Sequence, residues 1–254
     1  MLKTSLEIIC CPYCKGEVRF VGEEKDDEIV KGVLECLKCR RQYLIKDGIP
    51  DFRIRECYGM RNIIQKALYD VYAPYYDLVE ERFARRMGFS EEKIRSKLVS
   101  TMRIREGDNV LEVCIGTGGN IPYYRKYTSG LIVGIDISDK MLKMCREKVR
   151  KYNWGSVELM LGCAEYLPFK DSMFDRVLIG GAISWFTNPR KAVEEAVRVV
   201  KRNSIVVIYD QVSRIDLILQ RDKMVLNSIP RSAVILNFRY LFDKHFYVIG
   251  LRKK

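Results

Sequence analysis

From residue 110 onward, short apolar runs alternate with longer stretches whose apolar positions repeat at helical spacing. "NVLEVC" (109–114), "LIVGIDI" (131–137), "VELML" (157–161), "FDRVLIGG" (174–181) and "SIVVIYD" (204–210) read as buried strands. "GNIPYYRKY" (119–127), "SDKMLKMCREKVRKY" (138–152) and "PRKAVEEAVRVVK" (189–201) read as the helices between them, the second N-capped by Ser138. Near-continuous apolar strands separated by amphipathic helices predict a parallel, doubly wound α/β sheet. "AVILNFRYLFDKHFYVIGLRKK" (233–254) predicts two strands and a tight turn, an antiparallel addition at one edge. Upstream, "GMRNIIQKALYDVYAPYYDLVEERFARRMGF" (59–89) and "SEEKIRSKLVSTM" (90–102) are helical in pattern, with Ser90 opening the second.

The first 50 residues follow different rules. Cys11-Pro12-Tyr13-Cys14 and Cys36-Leu37-Lys38-Cys39 are two CxxC knuckles with 21 residues between them. The intervening "EVRFV" (17–21) and "IVKGVLEC" (29–36) can form a hairpin across an acidic turn. Two thiolate pairs brought together in this way complete a tetrahedral metal site. Zinc is the expected ion, with a rubredoxin-like iron site as the chemical alternative. A segment this short builds little core, so the metal would supply folding energy, and four thiolates leave no open position for catalysis. Cys10 falls outside this register, and Cys57 and Cys145 read as inert. The expected division is a zinc ribbon over 1–55, a helical linker or lid over 56–105, and a ligand-binding domain over 106–254.

Composition narrows the chemistry. The chain has 254 residues, nine cysteines and a single histidine, His245. One histidine disfavours a Ser-His-Asp or multi-histidine metal centre, and His245 itself reads as structural. An odd cysteine number does not suggest a secreted disulfide framework. No run reaches membrane-span length and no signal peptide is legible, so a cytoplasmic protein is expected. Net charge is +12, unevenly spread: 11 basic against 10 acidic residues in 1–55, but 11 against 4 in 201–254. A basic C-terminal part suits an anionic small molecule or RNA as readily as a solvated face.

The first strand of the alternating region runs into "VLEVCIGTGGN" (110–120). In doubly wound sheets, ligands sit at the carboxyl ends of the strands where strand order reverses. Gly116 and Gly118 permit close backbone approach, and Asp136, 24 residues beyond Glu112, is positioned for a ribose diol. A dinucleotide fingerprint is incomplete, with Ile121 where its last glycine would stand. Glu112 would repel a pyrophosphate but suits the ammonium of S-adenosylmethionine.

Several motifs in order carry a family resemblance. "YDVYAPYYD" (69–77), "VLEVCIGTGGN", "GIDISDKML" (134–142), "GCAEYLPF" (162–169) and the fourth-strand stretch from 174 resemble class I S-adenosylmethionine-dependent methyltransferases of the ubiquinone/menaquinone-biosynthesis branch. The resemblance implies cofactor contacts from Tyr76, Glu112, Cys114, Gly116, Gly118, Asp136, Ile137, Cys163, Ala164 and Gly180. Cys114 stands where the family has its first glycine, and Cys163 where it has an adenine-binding aspartate. "CPYCKG" and "YLIKDGIPDF" resemble the zinc-ribbon activator subunit of tRNA and protein methyltransferases, which implies a structural ribbon or a protein partner docked through it. The function expected is methyl transfer to a small-molecule acceptor, with Asp77, Tyr76 or Asp210 as the base where one is needed. An RNA methyltransferase and a non-enzymatic partner-binding protein are the alternatives.

Overall fold

The structure is a computed structural model that describes residues 1–25, 28–212 and 221–254. Strands β1 (Val18–Lys25), β2 (Glu28–Cys36), β3 (Gln42–Lys46) and β4 (Ile49–Pro50) form an antiparallel four-stranded sheet in sequence order. Three helices follow: α1 (Met60–Tyr72), α2 (Tyr76–Arg86) and α3 (Glu91–Thr101). The helical pattern of 59–89 is broken by Ala73-Pro74-Tyr75, a single 3-10 turn. Pro74 lacks the amide that would continue α1. Ser90 caps α3 by accepting from the Lys93 amide.

The second sheet contains β5 (Val110–Val113), β6 (Ile132–Asp136), β7 (Val157–Leu161), β8 (Phe174–Gly180), β9 (Val200–Gln211), β10 (Ala233–Leu241) and β11 (Phe246–Lys253). Between its strands lie α4 (Ile121–Tyr124), α5 (Asp139–Lys151), α6 (Pro189–Val199) and α7 (Arg221–Asn227). Strand order is β10-β11-β9-β8-β5-β6-β7, with β9 through β7 parallel and β11 and β10 antiparallel. The chain winds outward from β5 through β6 to β7, then returns to the other side of β5 as β8. The order therefore reverses at the C-terminal end of β5, where "CIGTGGN" begins.

Two expectations change. The helix expected over 119–127 shrinks to the single turn α4, and the chain turns directly after it, the Tyr127 and Thr128 amides both donating to the Tyr124 carbonyl. The helix expected to run to 201 ends at Val199, and the strand expected from 204 already begins at Val200, with Asn203 at φ 61° where the register shifts.

The four-stranded sheet is packed on the larger one. Asp51 bridges Leu161 in parallel register, and the Phe52 amide donates to the Leu161 carbonyl, so the segment after β4 covers edge strand β7. Covering an edge removes an open ladder of backbone groups. Buried Ile9, Phe52, Phe169 and Phe174 belong to one continuous core. Lys15–Glu195 at 2.6 Å and Arg53–Asp139 at 2.6 Å tie the two parts at the rim. Among the described residues, no helix is long and apolar enough to cross a membrane.

Candidate active site

A cavity of about 840 Å³ opens at the strand-order reversal. Its floor is the end of β5, the β6 terminus and Gly180 of β8; α1, α2 and α3 form its outer wall. Glu112 is 2% exposed at the end of β5. Its Oε1 accepts from Asn120 Nδ2 at 2.7 Å, while Oε2 makes no hydrogen bond of good geometry, with the buried Tyr124 phenol as its neighbour. Burial, opposed by the Asn120 hydrogen bond, raises the Glu112 carboxyl to about 7. A carboxylate oxygen without a well-formed hydrogen bond in a buried wall is costly unless a donor comes to meet it. A ligand ammonium is such a donor.

Asp136 ends β6. Its Oδ2 accepts from the Gly116 amide and its Oδ1 from the Ser138 amide, both at 2.9 Å. These bonds aim the carboxylate into the cavity and leave lone pairs for hydroxyl donors, since an ionised carboxylate has about four acceptor sites. Burial raises its pKa, and the amide bonds oppose that shift.

Cys114 adopts φ 64°, the left-handed region where glycine is at ease. The thiol is tolerated there and lines the cavity. Burial and the carboxylates of Asp136 and Glu165 keep it protonated. Gly116, Ile137, Gly180 and Tyr76 also line the cavity. Gly118 does not: a Cβ there would sit 2.6 Å from the Cys145 sulfur, so this glycine serves the packing of the loop on α5.

Cys163 and Ala164 line a small recess beside the main cavity, together with Asn62, Asp136 and Ile137. The inert role expected of Cys57 needs correction. Cys57 is not a bystander in a linker: it forms a disulfide with Cys163, with Cα atoms 5.7 Å apart. The residue preceding α1 is thereby fastened to the recess wall. Nothing in the spacing of 106 residues announced the pair.

The sequence reading missed Arg95 and His245. Arg95 lies on α3, bonds Glu91 at 2.5 Å and reaches Asn120 Oδ1 at 3.1 Å, so it anchors the residue that holds Glu112. A side chain at Gly119 would collide with its guanidinium at 2.5 Å. The Glu91–Arg95 i,i+4 pair was legible, but not its inward direction. His245, expected to be structural, lines the cavity from the β10–β11 turn. Three successive left-handed residues, Phe242, Asp243 and Lys244, aim that turn inward.

Among the candidate bases, Asp77 is engaged elsewhere. It accepts from Thr117 Oγ1 at 2.6 Å and pairs with Lys148 Nζ at 2.5 Å. Tyr76 lines the cavity, but burial and nearby Glu80 drive its pKa well up, so it is a neutral phenol. Asp210 also lines the cavity and accepts from the Ser184 amide at 3.0 Å.

The second constellation is the cysteine cluster. The sulfurs of Cys11, Cys14, Cys36 and Cys39 all lie within 4.8 Å of one another. Tyr43 Oη approaches Cys11 Sγ at 2.9 Å. Four converging thiols on two short turns match the donor set of a structural zinc site. Cys10 stands apart, with burial pushing its thiol up to about 11.

Comparison with known proteins finds matches to two separate segments. Residues 111–208 match a family described as "Methyltransferase domain", and residues 3–48 match "Trm112p-like protein". The chain thus carries a segment similar to methyltransferase domains, preceded by a segment similar to Trm112p-like proteins. A demethylmenaquinone methyltransferase of Listeria welshimeri is 38% identical over 111 residues, which are 43% of this chain and 47% of that protein. The Bacillus subtilis protein of that name is 36% identical over 118 residues, 46% and 51% of the two chains. The chain therefore spans about half the length of these curated relatives. A SAM-dependent methyltransferase from Aquifex aeolicus shares the fold at TM-score 0.53 and 21% identity, covering 63% of this chain and 89% of that one. The complex of the Haloferax volcanii Trm112 methyltransferase activator with a candidate methyltransferase matches at TM-score 0.59 and 14% identity, over 73% and 97%. The [4+2]-cyclase SpnF matches at TM-score 0.60 and 14% identity, over 76% and 96%, so fold alone does not fix the reaction.

Proposed function

We propose that the protein methylates a small, amphipathic acceptor at the cavity above β5, using S-adenosylmethionine as donor. The observation that carries this reading is Glu112, a buried carboxylate in the cavity wall whose Oε2 makes no hydrogen bond of good geometry, at the site where a cationic ligand would be held. Glu112 would receive the cofactor's ammonium and Asp136 its ribose hydroxyls, with the adenine in the main cavity beside Ile137, on the side toward Ala164. Arg95 would steady Asn120 behind Glu112. When bound, the cofactor supplies a methyl group on a sulfonium, a leaving group already activated by its charge.

The protein's part is then alignment and exclusion of water. Tyr69, Tyr72 and Tyr76 form an edge-to-face aromatic wall, with ring centroids 5.5 to 6.3 Å apart, suited to a planar or apolar acceptor. Where the acceptor must lose a proton, Asp210 and His245 are two cavity groups placed to take it. The Listeria and Bacillus proteins named above carry a quinone-type acceptor in their names, and we infer an acceptor of similar size and polarity here.

We further propose that zinc at the cysteine cluster holds the ribbon as a built-in support for β7, and that the protein acts in the cytoplasm. The ribbon's covered edge supports an intramolecular role ahead of docking to a separate partner. RNA is the second reading, favoured by the +12 net charge. Calorimetry with S-adenosylmethionine and its demethylated product tests the first. Micromolar binding that Glu112→Gln abolishes or weakens supports the proposal. No binding at millimolar cofactor would favour a non-enzymatic protein. Strongly salt-dependent binding to tRNA or rRNA would promote the RNA reading.

A further inference from the structure

Helix α1 is amphipathic in the reverse sense. Its buried positions are polar: Asn62 is 3% and Gln65 7% exposed. Asn62 donates to the Cys57 carbonyl and to Glu165, and Gln65 lines the cavity. Its outward positions are apolar. Met60 is 73% exposed, Leu68 56% and Val71 75%, with Ile63 and Ile64 nearly half exposed. The stripe continues past the Ala73-Pro74 break through Tyr75 at 64% and Leu78 at 47%. Scattered apolar side chains on a surface need no explanation, but a continuous row along two consecutive helices does. The row is not a core face left over, because the inward face is already taken: Asn62 is hydrogen-bonded to Cys57 and Glu165, and Gln65, Tyr69 and Tyr72 line the cavity.

Charge around the row is one-sided. Arg61, Arg82 and Arg86 are exposed and enter no ion pair among the described residues. The acids of the same helices are otherwise engaged. Asp70 pairs with Lys66, Asp77 with Lys148 and Glu81 with Arg85, while Glu80 lines the cavity. The turn carrying Trp185, which is 43% exposed and lines the cavity, packs against α1. An apolar stripe bordered by free arginines and an amphipathic aromatic is the composition of a helix that lies in a membrane interface. A protein partner or second copy would need a matching acidic rim.

We propose that the outer face of α1 and α2 docks on an anionic lipid surface, bringing the cavity mouth beside the bilayer. The chain attaches peripherally, since no described helix can span a bilayer. This inference rests on the helix pattern and not on the methyl-transfer reading, and its test contains no activity measurement.

Flotation of the full chain with vesicles decides it. Equimolar phosphatidylglycerol and phosphatidylcholine vesicles should carry the protein up the gradient, pure phosphatidylcholine vesicles much less, and added salt should release it. The double variant Leu68→Glu/Val71→Glu should bind roughly thirtyfold more weakly, from the loss of two inserted apolar side chains. Its cofactor affinity and thermal midpoint should be unchanged. Arg61→Glu/Arg82→Glu/Arg86→Glu should weaken binding on the order of a hundredfold at low salt. Independently of any variant, lipids brominated on their acyl chains should quench Trp185 fluorescence. Absence of vesicle binding, or undiminished binding by Leu68→Glu/Val71→Glu, overturns the proposal. So does a dimer in light scattering that the same variant converts to monomer, which would assign the face to a second copy.

Discussion

Replacing Glu112 with Gln should make the ligand-free protein more stable while weakening its grip on the cofactor. Glu112 is 2% exposed, and its carboxyl rises from 4.5 to about 7, chiefly because burial penalises the charge. An acid whose pKa is raised on folding binds protons more readily in the folded state. Its ionisation therefore costs nothing below about 4.5, costs progressively more between 4.5 and 7, and is fully felt above 7. A shift of this size corresponds to about 3 kcal/mol. Glutamine keeps the shape and carries no charge. Chemical denaturation of both proteins without ligand should give similar stabilities near pH 4.5 and a gap approaching about 3 kcal/mol in favour of the variant at pH 8. Glutamine's amide can still meet Asn120, so the comparison isolates the charge. With S-adenosylmethionine the gap should narrow: loss of a charge-assisted hydrogen bond removes roughly 1.5 to 3 kcal/mol of binding, about 10- to 150-fold in affinity. A variant equally or less stable than the parent at pH 8, with unchanged cofactor affinity, would refute the assignment of Glu112 as a strained cation receptor.

Asp136→Ala should lose on the order of 1.5 to 3 kcal/mol of cofactor binding, read by calorimetry, and should also loosen the Gly116 loop that this carboxylate orders. Reduction of the Cys57–Cys163 bridge should lower stability by roughly 2 to 4 kcal/mol, and Cys57→Ser should reproduce the reduced midpoint in either redox state. Mass spectrometry under native conditions should find one zinc per chain. Cys36→Ser should remove it, expose the β7 edge and lower the midpoint of the whole chain, because the core runs through both sheets.

Much of the fold was legible because its strands are buried on both faces. Val110–Val113 and Ile132–Asp136 are buried throughout, so they are apolar without alternation, as a parallel sheet requires. The antiparallel tail was readable from its two β-rich runs. The two knuckles were readable because metal ligation demands a fixed local spacing. Glu112 and Asp136 stood out because acids that end buried strands need a partner. Other features had no such signature. The pairing of Cys57 with Cys163 depends on where the chain crosses the recess, not on local pattern. Arg95 and His245 reach the cavity from α3 and from a turn whose left-handed residues are Phe, Asp and Lys, none of which flags that conformation as glycine does. The reversed polarity of α1 was present in the sequence as ordinary helical periodicity; only the burial of Asn62 and Gln65 reveals which side faces inward.

Incubation of the purified protein with methyl-labelled S-adenosylmethionine and a cell extract, separated afterwards into organic-soluble small molecules, RNA and protein, tests the central claim most directly. The account predicts label in the organic-soluble fraction, with transfer reduced in Glu112→Gln in step with its cofactor affinity. Label confined to RNA, or no transfer by a protein that binds the cofactor well, would contradict it.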